Sequence, residues 1–206
     1  MLFYNKGDIV IEVNDDLKDK FINVHMNDIQ ISTNEKPIIG TFGLGPCMAF
    51  ILHSKENKKA IVGHVPCSQL MNNNSLEKLR LQILKIIIEN KLIDSSFDLI
   101  LVEGAQKSGY YKDWYELEIL QNQQKKPYSL FEVLEKNLTQ IDLVRINSIQ
   151  NSNFSAEEIQ TVNIKGDLCI ESNNEASKQF AFNANNGNFI TNELFILRKQ
   201  EETKKY

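Results

Sequence analysis

Apolar and polar positions along this chain follow two periods, one suited to strands and one to helices. Phe21 to Met26 and Asp28 to Ser32 are short β-rich runs, and Pro37 to Phe42 leads into a glycine-punctuated turn, Gly43-Leu44-Gly45-Pro46. Met48 to His53 is apolar enough for a buried strand. The polar stretch Ser54 to Lys59 separates it from a second strand, Ala60 to Val65, which predicts a hairpin. The clearest helix spans Asn74 to Leu92: Leu76, Leu79, Ile83 and Ile87, with Leu84 beside them, recur at the spacing of one helical face, and Asn74 with Glu77 reads as a capping box. Phe97 to Val102 reads as a core strand ending in Glu103-Gly104-Ala105. Ser129 to Leu138 reads as a helix capped by Ser129, with Glu132 at the box position.

Further strands are expected at Ile141 to Ile146 and Val162 to Ile170, and an Asn-Gly turn at 185–188 predicts a hairpin of Gln179 to Ala184 with Phe189 to Leu197. Gln106 to Tyr128 has no settled pattern, although Trp114 to Leu120 fits a short helix. Residues 198–206 read as a solvated tail. Alternating strands and helices without a repeat, in 206 residues, predict a single packed domain over 21–197 behind an N-terminal extension, 1–20.

Composition narrows the function classes. The chain is 42% hydrophobic and 24% charged, with a formal net charge of −4 and a pI near 5.5. No face-sized Lys/Arg cluster appears, which argues against nucleic acid as a partner. The start lacks the basic and apolar pattern of a secretory signal, and the densest apolar stretch, Leu79 to Leu92, is broken by charged and polar residues, so membrane insertion is not expected. Cys47, Cys67 and Cys169 make an odd number, which favours reduced thiols and a cytoplasmic setting over a disulfide framework.

The chemistry centres on Cys47 and His64. A turn centred between Lys55 and Glu56 places Cys47 directly across from His64 on one face, whereas a shift of half a residue sends them to opposite faces. A thiol attacks a carboxamide as thiolate, and a neighbouring imidazole can take its proton and return it to the leaving ammonia. The turn before Cys47 could present backbone N–H groups to a developing oxyanion. A small buried cysteine on a core strand explains the same residue without chemistry. Zinc held by Cys47, His64 and Cys67, with His53, is a weaker alternative, because paired ligand spacing is missing. Cys67 and Cys169 read as buried thiols, and His25 and His53 as structural or surface residues.

The run Thr41-Phe42-Gly43-Leu44-Gly45-Pro46-Cys47-Met48-Ala49 resembles the Thr-Leu-Gly-Leu-Gly-Ser-Cys-Val-Ala segment of the CheD family of chemoreceptor glutamine deamidases. Gly63-His64-Val65-Pro66 resembles that family's His-containing strand, and the separations of six positions from Thr41 to Cys47 and seventeen from Cys47 to His64 agree with it. Glu103-Gly104-Ala105 is similar to its Gly-Gly-Ala, and the 182–189 hairpin to its C-terminal one. The resemblance runs roughly from Met26 to Ile190 and is weak between Gln106 and Lys178.

It implies an α/β (α+β) layered sandwich of mainly antiparallel strands flanked by helices, shared in outline with the catalytic domain of cytotoxic necrotizing factors. It also implies a Cys47-His64-Thr41 triad that deamidates a protein glutamine through a thioester, with Thr41 orienting the imidazole. Gly45, Pro46, Glu103 and Gly104 would then border the substrate, and no metal or organic cofactor is implied. The expected partner is a protein substrate, a chemoreceptor or a host protein, met by a monomer in the cytoplasm or, after translocation as an effector, in a host cell. Protease or transglutaminase chemistry on the same thiol, and a non-catalytic binding module, are the competing readings. Two departures bear on the site: Pro46 stands in place of Ser and removes an N–H, and Glu103 stands in place of Gly and adds charge. The aromatic segment Lys107 to Tyr115, with Tyr110, Tyr111 and Trp114, has no family equivalent and reads equally as a partner contact or as core.

Overall fold

The computed structural model describes residues 2–6, 9–13, 17–44, 47–70, 72–104, 130–141, 143–151, 160–162, 177–190 and 195–199. It is a mixed α+β protein. In chain order the strands are β1 (Leu2–Lys6), β2 (Ile9–Val13), β3 (Phe21–Asn23), β4 (Ile29–Ile31), β5 (Ile38–Leu44), β6 (Cys47–Ser54), β7 (Lys59–Pro66), β8 (Ser96–Glu103), β9 (Arg145–Asn151), β10 (Gln160–Val162), β11 (Ser177–Asn183), β12 (Asn188–Ile190) and β13 (Phe195–Lys199). The helices are α1 (Cys67–Leu70), α2 (Asn73–Glu89) and α3 (Leu130–Thr139).

Two five-stranded sheets carry the architecture. One runs β4-β7-β6-β8-β9, antiparallel except for the parallel β8/β9 pair. The other runs β10-β11-β5-β3 with β12 beside β11, and only β3/β5 is parallel. Strand alternation gives β6 two apolar faces, as a central strand covered on both sides requires. Met48, Phe50 and Leu52 point toward a core shared with Leu76, Leu79, Ile83 and Ile87 of α2 and Leu134 and Leu138 of α3. Cys47, Ala49 and Ile51 point the other way, into a layer closed by Ile39, Leu44, Phe180 and Phe182 of the second sheet. Helices, sheet and sheet therefore stack in that order, and the inter-sheet layer receives the chemistry.

The four apolar positions expected on the long helix are the four that α2 buries, with Leu84 partly covered. Its cap differs from the expected Asn74. Asn72 accepts hydrogen bonds from the backbone N–H groups of Asn74 and Ser75, so the first of three consecutive asparagines ends the extended chain. The strand expected from Ile141 starts later, at Arg145. Ile141 and Val144 are buried in turns instead, with Ile141 N–H donating to the Leu138 carbonyl. The strand expected over 162–170 is described only at its start, where β10 ends, and Ser129 lies outside the described residues, as does all of 105–128. The run expected as one strand from Phe189 to Leu197 is divided between β12 in the second sheet and β13 in a third, three-stranded sheet with β1 and β2. Arg198 and Lys199 pair with Val10 and Ile9, so the ladder passes beyond the point where a tail was expected and ties it to the N-terminal extension.

At the far end of the inter-sheet layer, His53 is buried. Its Nε2 donates to the Ala184 carbonyl at 2.9 Å, and its ring meets Phe182 edge-on. A Cβ on Gly187, whose φ is +74°, would come within 2.9 Å of that ring. One histidine thus pins the β11/β12 turn to β6. His53→Ala removes a buried bond and an aromatic contact and should lower unfolding free energy by about 2 kcal/mol or more. Met26→Ala, at a site 59% exposed, should lie within about 0.5 kcal/mol of wild type. Urea melts monitored by circular dichroism measure both; equal midpoints would show that the pin carries no stability.

Candidate active site

The chain leaves the second sheet at Leu44 and enters the first at Cys47. Just before the crossing β5 carries a bulge: Thr41 pairs with Phe180 and Leu44 with Lys178, one residue more on β5 than on β11. Gly43 sits in the bulge at φ +69°, where a side chain would be strained. The extra residue reverses the alternation, so both Thr41 and Leu44 face the inter-sheet layer. Gly45 and Pro46 lie outside the described residues.

The hairpin register differs from the expected one. Ser54 pairs with Lys59 around a four-residue loop, and the ladder continues through Ala49↔His64 to Cys47↔Pro66. The turn is centred one full residue later than expected. A full-residue shift displaces the partners by two positions, which preserves the face. Cys47 and His64 are therefore diagonal neighbours on the inter-sheet side, with positions typically about 7–8 Å apart, within reach of a ring and a thiol.

Across the layer, Thr41 Oγ1 lies 2.7 Å from His64 Nδ1. The hydroxyl proton is already placed, since Oγ1 donates to the Val24 carbonyl at 2.6 Å. Toward the ring the hydroxyl can only accept, so Nδ1 carries hydrogen and Nε2 carries the lone pair. His64 Nε2 is buried and has no hydrogen-bond partner among the described residues. No hydrogen bond joins it to Cys47; the two share a face in this conformation without that contact.

Segment 24–28 holds both sides of this arrangement. Val24 N–H donates to the Gly40 carbonyl, Asn27 N–H to the His64 carbonyl, and His64 N–H to the Asp28 carbonyl. Asn27 adopts φ 66°, a conformation that Asn tolerates, and its side chain accepts from Gln69 Nε2 at 2.7 Å. The sequence reading missed this clamp. Its available signal was the asparagine interrupting two β runs.

Gly104 N–H donates to the Cys47 carbonyl at 3.1 Å. That donor is engaged with the peptide of the candidate nucleophile, which makes Gly104 a support for Cys47 and not an oxyanion donor in this conformation. Glu103 ends β8, paired with Met48; its side chain lies outside the described residues. Cys67 begins α1 and is buried, Cys169 lies outside the described residues, and His25 is exposed. Among the described residues no group of three or more His, Cys, Asp or Glu is placed to hold a metal ion, and no helix is long and apolar enough to cross a membrane.

Burial sets the electrostatics. Cys47 is 5% exposed and His64 2%. Desolvation pushes the Cys47 thiol up to about 11, with the nearby Cys67 adding to the effect. It pushes the His64 imidazole down to about 4, helped by the charge of His25. At neutral pH the pair is thiol and neutral imidazole, suited to proton transfer during attack rather than to a standing ion pair. No protein-family model matches the chain, and a search of the curated proteins finds no match either.

The alkylation rate of Cys47 should accordingly keep rising with pH past 9 toward 11. Iodoacetamide labelling followed by peptide mass spectrometry measures it. A plateau below pH 8 would reveal a stabilised thiolate and contradict the neutral pair.

Proposed function

We propose that this protein is a thiol hydrolase that deamidates a glutamine side chain of a partner protein. The observation that carries the reading is the Thr41–His64 hydrogen bond, whose direction leaves a buried, unpartnered Nε2 on the face that Cys47 occupies. His64 takes the thiol proton as Cys47 Sγ attacks the carboxamide carbon. The tetrahedral intermediate collapses as the C–N bond breaks, and the imidazolium protonates the departing ammonia. Water, deprotonated by the same Nε2, then hydrolyses the thioester, leaving glutamate and the free thiol. Thr41 holds the ring in the tautomer this cycle needs and accepts from Nδ1–H throughout. The resemblance of the 41–49 and 63–66 segments to the CheD family supports the carboxamide substrate and the layered α+β fold of that type. A chemoreceptor or a host protein fits as partner, the latter reached by translocation.

The burial of both Cys47 and His64 favours a second reading, a scaffold that binds a partner without reacting. Incubating wild type, Cys47→Ala and Thr41→Val with candidate protein mixtures separates the two. Wild type should convert specific glutamines, each gaining about one mass unit. Cys47→Ala should give none. Thr41→Val should be slower by roughly 10–100-fold, since a 1–3 kcal/mol loss accompanies a stranded buried donor, while Thr41→Ser retains most of the rate. Identical modification by wild type and Cys47→Ala, or none by either, leaves the non-catalytic reading.

A further inference from the structure

The catalytic cycle proposed above uses Cys47 and leaves a second buried thiol beside it unused. Cys67 directly follows Pro66, the Cα partner of Cys47. Because Gly104 N–H meets the Cys47 carbonyl from the β8 side, the peptide groups of Cys47 point away from β7. Proline could offer no N–H there in any case. The Cys47/Pro66 pair is therefore the closer, non-hydrogen-bonded type, with Cα atoms about 4.5 Å apart.

One residue onward along the chain is a further step of about 3.8 Å. Taken roughly at right angles to the pair, it puts the Cα atoms of Cys47 and Cys67 about 6 Å apart, inside the range a disulfide spans. Strand alternation would aim Cys67 away from Cys47, but β7 ends at Pro66 and Cys67 opens α1, so it is released from that constraint. Both thiols are buried and neither is in a disulfide. The negative charge of one thiolate raises the pKa of the other, as two neighbouring sulfurs require.

We propose that Cys47 and Cys67 form a reversible disulfide in which Cys67 is the resolving thiol, making the pair a site of oxidative modification that switches Cys47 off. The switching rests on Cys47 being the nucleophile of the proposed deamidase; the pairing does not. Hydrogen peroxide supplies the oxidant. Cys47 Sγ attacks one peroxide oxygen as its proton passes to His64 Nε2, the O–O bond breaks, and sulfenic acid forms while the leaving hydroxide takes that proton to become water. Cys67 Sγ then attacks the sulfenic sulfur, the S–O bond breaks, and the leaving hydroxide takes the Cys67 proton to depart as a second water. Two thiols lose two electrons in total and the peroxide gains them. A dithiol reductant reverses the step by exchange.

The full chain, reduced and then treated with graded hydrogen peroxide, is alkylated, digested and mapped by mass spectrometry. Wild type should lose about two mass units and yield a Cys47–Cys67 linked peptide that dithiothreitol abolishes. Cys67→Ala should yield no such peptide, and its Cys47 should proceed to sulfinic acid that dithiothreitol does not restore. Oxidation of wild-type Cys47 only to sulfinic acid, or its linkage to Cys169 or to another chain, overturns the pairing. These wild-type results hold even if the variant folds poorly. A linked peptide from a protein with no deamidase activity when reduced would support the pair and remove the deamidase; activity without the link would remove the pair alone.

Discussion

A buried side-chain hydrogen bond crosses the layer between the two sheets, from His64 Nδ1–H on β7 to Thr41 Oγ1 on β5. Its direction is set from outside the pair, because the Val24 carbonyl has already taken the threonine proton. In a layer lined by Ile39, Ile51, Val62 and Phe180, a bond of this kind is electrostatically stronger than in water, and a missing partner costs correspondingly more. The fold meets the donor on one side of the ring and, among the described residues, leaves the acceptor on the other unmet. Buried unpartnered polar atoms are few in native proteins, and one placed on an imidazole beside a thiol has a chemical explanation available that a packing defect does not.

The same apolar layer that orients the ring also keeps both reacting groups uncharged. A neutral thiol beside a neutral imidazole reacts only as its proton is removed, which slows attack on chance electrophiles without excluding a small oxidant. Burial has a stability consequence of definite sign. The unfolded chain takes up a proton on His64 below about pH 6.5, whereas the folded protein resists until about pH 4. The unfolded state therefore binds more protons in that window, and this contribution to stability falls as pH drops through it.

Much of this arrangement was legible in the sequence, for reasons that can be traced. Apolar spacing located α2 and its buried face, because Leu76, Leu79, Ile83 and Ile87 have no alternative helical face to share. The polar turn between two apolar runs placed β6 and β7 together, and the resemblance of the 41–49 and 63–66 segments to a known family pointed to Thr41, Cys47 and His64, three residues that share the inter-sheet side. The register was legible only modulo two. The 55–58 turn contains no glycine to mark its centre; Lys58 takes the left-handed conformation at φ 52°, and Asn57 anchors the loop through Ser54 and Ser95. The Val24 carbonyl was invisible for a more general reason, since any residue there would supply the same acceptor. The division of 189–199 between two sheets was equally hidden, because local periodicity does not say which neighbour a strand will find.

The central claim is a protonation pattern on one ring, and nitrogen-15 NMR of histidine-labelled protein reads it directly. At pH 7 the account predicts His64 neutral, with Nδ1 protonated and Nε2 bare, and the same pattern in Cys47→Ala. An imidazolium at that pH, or a proton on Nε2 with Nδ1 bare, would contradict the orientation by Thr41 on which the proposed chemistry depends.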